Sequence, residues 1–493
     1  MWLTISLAVF YTILGNGRIT SGDGEATFQV TRALAERGRL DLPPNILPPV
    51  VIVLVSSTDT EIPYTAVGYD GRTYSKYGLG QSLAALPLYF LGMVWRTVAG
   101  ADHAPRFVTL LLNGLLTAGT AGLLLILARH MAYPTRTAIL LALAFALCSP
   151  AWPYTHSFFS EPLVTFCLTG AALSAVRFAQ RDQTRWLVLM GGFGGLALLT
   201  RINAFAALPA FGLYLALTWR AQHTPFPRIA QQAAAGLFAL SVGVGLMFLC
   251  NVVRFGSPFD FGYHTSNWQA PFFPGLYGLT LSPGKGLLWY APPILLGLIG
   301  FRSFARRSPH EALLCGGVFV GYLLLHSSYT YWEGGWCWGP RLILPVLPFA
   351  ILPAGSLLMR RDQKRRSELG LALILALGFL VQIPAVGSND AHPLQRVYAV
   401  SSDEFQSRVL YQPAYSPLFG QWLSFLEVTA NLRSAEARAQ VAHLLAMIQP
   451  EDTLLLTDSP AEALRLERQT ILAFNFPDLW LVSEPWLRQE AAP

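Results

Sequence analysis

Charge is what this sequence has least of. Only 13% of its 493 residues are Asp, Glu, Lys or Arg, about half the ~25% of an ordinary soluble domain. With 53% of residues hydrophobic and a mean hydropathy of +0.43, that shortfall excludes a water-soluble globule and points to an integral membrane protein. Cysteine is also sparse: Cys148, Cys167, Cys250 and Cys315 lie in or at the ends of apolar runs, and Cys337 lies in a loop. No CxxC and no Cys/His metal spacing occurs, so neither a disulfide framework nor a zinc site is indicated. Internal repeats of transporter type and low-complexity tracts are missing as well. The opening run WLTISLAVFYTIL lacks a basic n-region and a small-residue cleavage site before Asn16, which argues against a signal peptide. It is short for a span of about 20 residues, so the expectation is a start further upstream or a helix shielded by its neighbours. The net charge of +6 reads as a topology signal, not a nucleic-acid footprint.

What is present is a series of apolar runs. They occupy roughly 1–15, 106–128, 137–150, 162–176, 186–200, 203–219, 229–253, 286–301, 311–327, 342–359 and 369–387, with a further run over 79–98. The expected fold is an all-α polytopic membrane protein of about 11 helices. Whether 79–98 crosses decides the sidedness of everything after it. If it does not, the short cytoplasmic loops hold fifteen basic residues between Arg129 and Arg366, and the short outer loops hold Arg201, Arg254, Lys285 and Arg341. If it does, the ratio inverts against the positive-inside rule. The run is therefore read as an interfacial or re-entrant helix broken near Pro87. Residues 16–105 become a large first outer loop, 1–387 a membrane domain, and 388–493 a small outer C-terminal tail. Within the tail, 405–427 reads as ordered and 433–470 carries a helical pattern.

The polar segments then gather on one face. Thr20 to Leu42 places Asp23 and Glu25 in a Gly-Asp-Gly-Glu turn ahead of an amphipathic helix. Asp23 fits a helix N-cap, Glu25 a first-turn charge, and either fits a general base at the lipid boundary. In YDGRTYSKYGLGQS, Tyr74, Lys76 and Tyr77 suit an interfacial anchor or a lipid-phosphate clamp. WPYTHSFFSEPL brings His156 and Glu161 to the start of an apolar helix, where an ionisable group marks function by default. Lys285 and Arg341 each open an apolar helix, where exposed amides also favour an anion. Trp332, Trp336 and Trp338 with Glu333 offer flat and acidic surfaces suited to a sugar, or an aromatic belt. Arg201 and Arg254 read as structural.

These pieces stand in a familiar order: an acidic loop after the first helix, an aromatic-Lys segment before a Pro-containing run, the SEP turn, Leu199 to Arg201, and a late W-G-P-R. Over about residues 1–390 the chain resembles the GT-C superfamily of polyprenyl-phosphate-sugar glycosyltransferases. Its likeness is to the bacterial branch related to protein mannosyltransferases and to the aminoarabinose transferase of lipid A. The resemblance implies a catalytic base at Asp23, a second acid at Glu161, Lys76 facing the lipid phosphate, and surface helices in the first outer loop. The adjacent acids frequent in that family are here parted by Gly24, which leaves Glu25 a second candidate base.

The implied reaction moves a sugar from a polyprenyl phosphate to an acceptor hydroxyl, with inversion and with one base and no general acid. Lys76, Lys285 and Arg341 would stabilise the leaving phosphate, and Glu161 would orient acceptor or sugar hydroxyls. No cofactor is expected, and a metal is dispensable in principle. Expected partners are the lipid-linked donor, a lipid, glycan or protein acceptor, and the bilayer, with no nucleic acid. The expected location is the bacterial inner membrane, with the site facing outward. Rival readings are a pyrophosphate-linked glycan ligase or polymerase, a lipid or solute transporter, and a structural membrane protein. A transporter would bury ionisable groups at mid-membrane, whereas these charges gather at loop-helix junctions.

Overall fold

A computed structural model of the chain describes residues 1–42 except 16, 18 and 20, residues 64–263, 268, 270–359 except 336, 365–387 and 405–431. The helical pattern expected over 433–470 lies outside the described residues.

Every one of the eleven apolar runs is helical. In chain order the helices are α1 (Trp2–Leu14), α2 (Gly22–Arg37), α3 (Gly80–Ala99), α4 (Ala104–His130), α5 (Thr135–Leu147), α6 (Glu161–Arg181) and α7 (Thr184–Thr200). There follow α8 (Ile202–Ala221), α9 (Phe226–Phe255), α10 (Phe272–Thr280), α11 (Pro293–Arg307), α12 (Pro309–Ser327), α13 (Arg341–Leu358), α14 (Arg365–Gly387), α15 (Phe405–Tyr411) and α16 (Pro417–Asn431). Among the described residues, seven of these (α3, α4, α6, α8, α9, α13 and α14) are long and apolar enough to cross a membrane. The polytopic membrane architecture expected from composition is therefore present.

The core is the contact of α4, α5, α6, α12 and α13. Its most buried member, α13, is not a regular helix. Pro345, Pro348 and Pro353 remove backbone donors, so the segment alternates between 3₁₀ and α turns. At the perimeter, α9 and α14 expose most of their apolar surface, as lipid-facing helices do. The short helix α7 packs on α9 through glycine. A Cβ on Gly191 would stand 2.1 Å from the Gly236 carbonyl, so only a missing side chain permits this approach.

The bundle has two electrostatically different ends. One carries Arg129, which donates to the Tyr133 carbonyl (2.6 Å), and Arg307, which donates to the Met131 carbonyl (3.0 Å). The other carries Asp23, Glu161, Arg201 and Arg341 and is the site end. The two helices that the sequence assigns to the first outer loop, α2 and α3, lie there. α3 packs along α2, with Ser82 donating to the Thr27 carbonyl (3.0 Å) and Tyr89 to Glu36 (2.5 Å). It also packs on the first third of α4, where Gln81 donates to Asn113 (2.9 Å) and Trp95 meets Phe107. The expected break near Pro87 is corrected: α3 runs unbroken through Pro87, which forfeits the bond to the Leu83 carbonyl, and its packing on α2 and α4 holds it helical.

A small antiparallel sheet adds to the all-α expectation. Asp41–Leu42, Thr73–Ser75 and Thr65–Val67 pair around the central Thr73–Ser75 strand, which delivers Lys76 and Tyr77 to the site end. The described part of the tail is docked. Gly284 donates to the Leu410 carbonyl (3.3 Å), Ser416 to the Pro283 carbonyl (2.6 Å), and α16 lies beside the end of α14.

Candidate active site

Asp23 heads α2 but does not cap it. Ser21 is the N-cap, its Oγ accepting from the Gly24 amide at 3.2 Å, so Asp23 and Glu25 both stand in the first helical turn. This agrees with Glu25 as a first-turn charge and corrects the reading of Asp23 as the cap. With the cap role filled, the Asp23 carboxylate is free to point elsewhere. The flanking glycine at 22 follows from crowding, because its Cβ would fall 2.1 Å from the Tyr64 ring.

Asp23 Oδ2 accepts from Arg341 Nη1 at 2.7 Å, and Arg341 Nε lies 3.4 Å from Glu161 Oε1. Glu161 Oε1 in turn accepts from Arg201 Nη1 at 2.5 Å, and the same nitrogen reaches Ser160 Oγ at 3.3 Å. The result is a row of alternating charge, Asp23–Arg341–Glu161–Arg201, drawn from the starts of α2, α13 and α6 and the end of α7. Its formal charges cancel, which lets it persist in a largely buried setting. Burial is uneven: the Glu161 side chain is 1% exposed, Arg341 9%, and Asp23 and Arg201 16% each. The two ends of the row thus meet solvent while its centre does not. Phe159 lies under the Arg341 guanidinium at 4.1 Å, a favourable cation-π placement.

Tyrosines surround the open end. Tyr77 lies against Asp23, and burial together with that carboxylate pushes its phenol well above the ordinary range, so it stays a proton donor. Tyr64 and Tyr329 also feel the Asp23 charge. Next to Tyr77, Lys76 is half-buried, and among the described residues its ammonium has no hydrogen-bond or ion-pair partner. The loop carrying both is fixed by Arg254, whose Nη1 donates to the Ser75 and Tyr77 carbonyls at 2.8 Å each.

Other residues singled out in the sequence are held elsewhere. Glu25 is buried in a two-point contact with Arg106 (2.8 and 2.8 Å) and accepts from Gln29 (2.7 Å). Tyr74 donates to Asp70 (2.9 Å) and packs on Phe255. Lys285 spends its ammonium on the Gly335 (3.0 Å) and Cys337 (2.6 Å) carbonyls, which shapes the loop leading to Arg341. Glu333 faces Lys285, and burial raises its carboxyl above the usual range. Trp338 is buried, donating to Gln382 (3.0 Å) and set edge-on to Tyr290, so its face is not offered to a ligand. His156 lines a cleft between α1 and α4, with Nε2 unpartnered among the described residues. Burial there lowers its pKa to about 4. Trp336 lies outside the described residues.

Conversely, the structure brings in Arg201, Tyr64, Tyr329 and Ser160, which sequence reasoning did not weight. For Arg201 a signal existed: an arginine directly after an apolar helix at the same end as Glu161. Among the described residues, no group of three or more His, Cys, Asp or Glu side chains converges on a metal position.

Residues 92–248 match the family model described as dolichyl-phosphate-mannose-protein mannosyltransferase, a stretch that holds Glu161 and Arg201. The fold is similar to that of ArnT from Cupriavidus metallidurans bound to undecaprenyl phosphate, with 15% identity and a TM-score of 0.52 over 100% of this chain and 89% of that one. The apo state of the same protein gives 16% identity and a TM-score of 0.51 over 100% and 88%. A weaker likeness links it to the archaeal oligosaccharyltransferase AglB from Archaeoglobus fulgidus, in complex with an inhibitory peptide and a dolichol-phosphate. There the identity is 11% and the TM-score 0.43 over 96% and 64%. No curated protein sequence matches the chain. The resemblance read from the sequence is thereby upheld: the chain has the fold of the GT-C membrane glycosyltransferases and carries, over residues 92–248, the pattern of their dolichyl-phosphate-mannose-protein mannosyltransferase family.

Proposed function

We propose that this protein moves a sugar from a polyprenyl-phosphate donor to an acceptor hydroxyl at the outer face of a bacterial inner membrane, with Asp23 as general base. The observation that carries this reading is the position of Asp23. It is a carboxylate at a helix start, oriented by Arg341, reachable from solvent, and against Tyr77, the chain neighbour of Lys76. The bound undecaprenyl phosphate of the ArnT structure supports a lipid phosphate as the ligand of such a site.

In the proposed step an acceptor oxygen attacks the anomeric carbon while its proton passes to Asp23. The bond from that carbon to the phosphate oxygen breaks, and the polyprenyl phosphate leaves with the electron pair. One displacement inverts the anomeric centre. General-base assistance of this kind contributes about 10²–10⁴-fold. The leaving group departs as an anion and needs charge stabilisation, which Lys76 supplies and the Tyr77 hydroxyl supports. Lys285 is not assigned this task, because its ammonium is already saturated by carbonyls. Arg341 holds the base, and Glu161 with Arg201 holds Arg341 in place. Basic residues gathered at the opposite end of the bundle support the outward orientation.

The test is sugar release from a panel of polyprenyl-phosphate sugars by purified protein in lipid. One donor turned over by the wild type, lost in Asp23→Asn and retained in Glu25→Gln, is the expected result. Loss in Glu25→Gln with retention in Asp23→Asn moves the base, and no turnover of any donor by the wild type rejects the donor class.

A further inference from the structure

Next to the Glu161–Arg201 pair, three buried oxygens have no hydrogen-bond partner among the described residues: Glu161 Oε2, Asn203 Oδ1 and Tyr322 Oη. Glu161 is 1% exposed and Tyr322 0%. Tyr322 projects from α12 to within range of the charges of both Arg201 and Glu161. One turn further along α12, His326 stacks on the Tyr322 ring, with centroids 5.5 Å apart. Its Nδ1 faces the Tyr322 carbonyl at 2.9 Å, so that nitrogen carries the proton and Nε2 accepts. Asn203 lies 2.9 Å from Nε2 and must therefore present its Nδ2 there as the donor, which leaves Oδ1 without a partner among the described residues. A buried polar atom left unpaired is costly, and each one in a native fold calls for an explanation. Tyr322 lies within range of Glu161 and Arg201, and Tyr322 and Asn203 both touch His326, so the three belong to one neighbourhood beside the part-exposed Arg201 and share one explanation.

We propose that Glu161, Asn203 and Tyr322 form the pocket for the transferred sugar, their unpaired oxygens meeting its hydroxyl or amino groups. The inference rests on the transferase reading above and adds the class of sugar. Carboxylate and amide oxygens only accept, and the phenol both donates and accepts. The pocket therefore suits a ligand face rich in O–H or N–H donors, that is, a neutral or amino sugar with adjacent hydroxyls. A sugar carboxylate has no donor to offer the Glu161 and Asn203 oxygens, and the charges of Arg201 and Arg341 are already matched by Glu161 and Asp23, so it is disfavoured. His326 is a positioning residue: it fixes the Asn203 amide and the Tyr322 ring.

The experiment compares wild type with Tyr322→Phe in lipid nanodiscs, using polyprenyl-phosphate sugars and their deoxy analogues. The substitution removes one oxygen and keeps the ring stacked on His326. For the donor that the wild type uses, kcat/KM falls about ten-fold, the worth of one hydrogen bond. That penalty disappears with the deoxy analogue lacking the contacted hydroxyl. The unfolding temperature holds or rises, because an unpaired buried oxygen is gone. An equal loss on both donors with a lower unfolding temperature would make Tyr322 structural and overturn the proposal. Unchanged kcat/KM would do the same and leave the pocket to ordered water. Wild-type turnover of a uronate-bearing donor as fast as of a neutral one would overturn the sugar class. If the wild type turns over no donor at all, the transferase reading fails and the pocket with it. A failure confined to Tyr322→Phe leaves that reading standing.

Discussion

The two acids in the first turn of α2 are two residues apart in sequence and have different neighbours. Asp23 faces Arg341 and the open site, whereas Glu25 turns inward to Arg106. On a helix, residues i and i+2 point to different sides, so one of the pair is committed to packing as soon as α2 forms. The same scale yields a pH prediction at His156. Burial lowers its pKa from 6.5 to about 4, so between those values the unfolded chain binds a proton that the folded one does not. Stability is then fully present above pH 6.5 and is lost as the pH falls toward 4, by up to about 3 kcal/mol. Thermal unfolding in detergent between pH 7 and pH 4 should show this slope in the wild type and a flatter one in His156→Asn. Equal slopes would remove His156 as the cause.

Elements meet at their ends, and the site depends on how closely they do so. The turn from Lys76 to α3 passes the end of α7 with no room to spare: a Cβ on Gly78 would lie 2.4 Å from the Leu199 carbonyl and 2.4 Å from that of Thr200. These are backbone atoms of a helix end and cannot rotate away. Gly78→Ala should therefore displace the Lys76–Tyr77 loop and cost about 1–3 kcal/mol, as overpacking does. Turnover should fall by more than the loss of folded protein explains, measured as activity per folded molecule after size exclusion. Unchanged activity would mean that the loop position is not limiting. On the other side, Asn113 of α4 donates to the Ser157 (2.7 Å) and Phe159 (2.9 Å) carbonyls. It thereby fixes the turn that presents Glu161 and the ring beneath Arg341.

At the scale of the whole molecule, the placement of α3 sets the side on which each later loop lies. α3 touches α2 and the first third of α4, all at the site end, as an interfacial helix would. Asp70 precedes α3 and Asp102 follows it, and all five native cysteines are buried. Single cysteines introduced at Asp70 and Asp102 should therefore react with an impermeant maleimide from the same side of intact cells or oriented vesicles. Labelling from opposite sides would make α3 a span and reverse the sidedness of every loop after it.

Composition and pattern by themselves determined the membrane class, the positions of all eleven apolar helices and the end of the bundle where Asp23, Glu161 and Arg341 meet. Each rests on local properties, chiefly run length and the charge of short loops. Asp23, Glu161, Lys76 and Arg341 were legible because they stand at loop-helix junctions of one face. Tertiary structure alone decided the pairing. Asp23 and Arg341 are 318 residues apart in the chain, and nothing local distinguishes their contact from one between Glu25 and Lys285. Lys285 and Trp338 looked like binding groups but serve the loop behind Arg341. Arg201 looked structural and closes the row of charges. The continuity of α3 through Pro87 depends on its packing against α2 and α4, and the small sheet beneath Lys76 is built of strands two or three residues long, too short to show a period. Which charge meets which is set by how helix ends converge, and that convergence exists only once the bundle has packed.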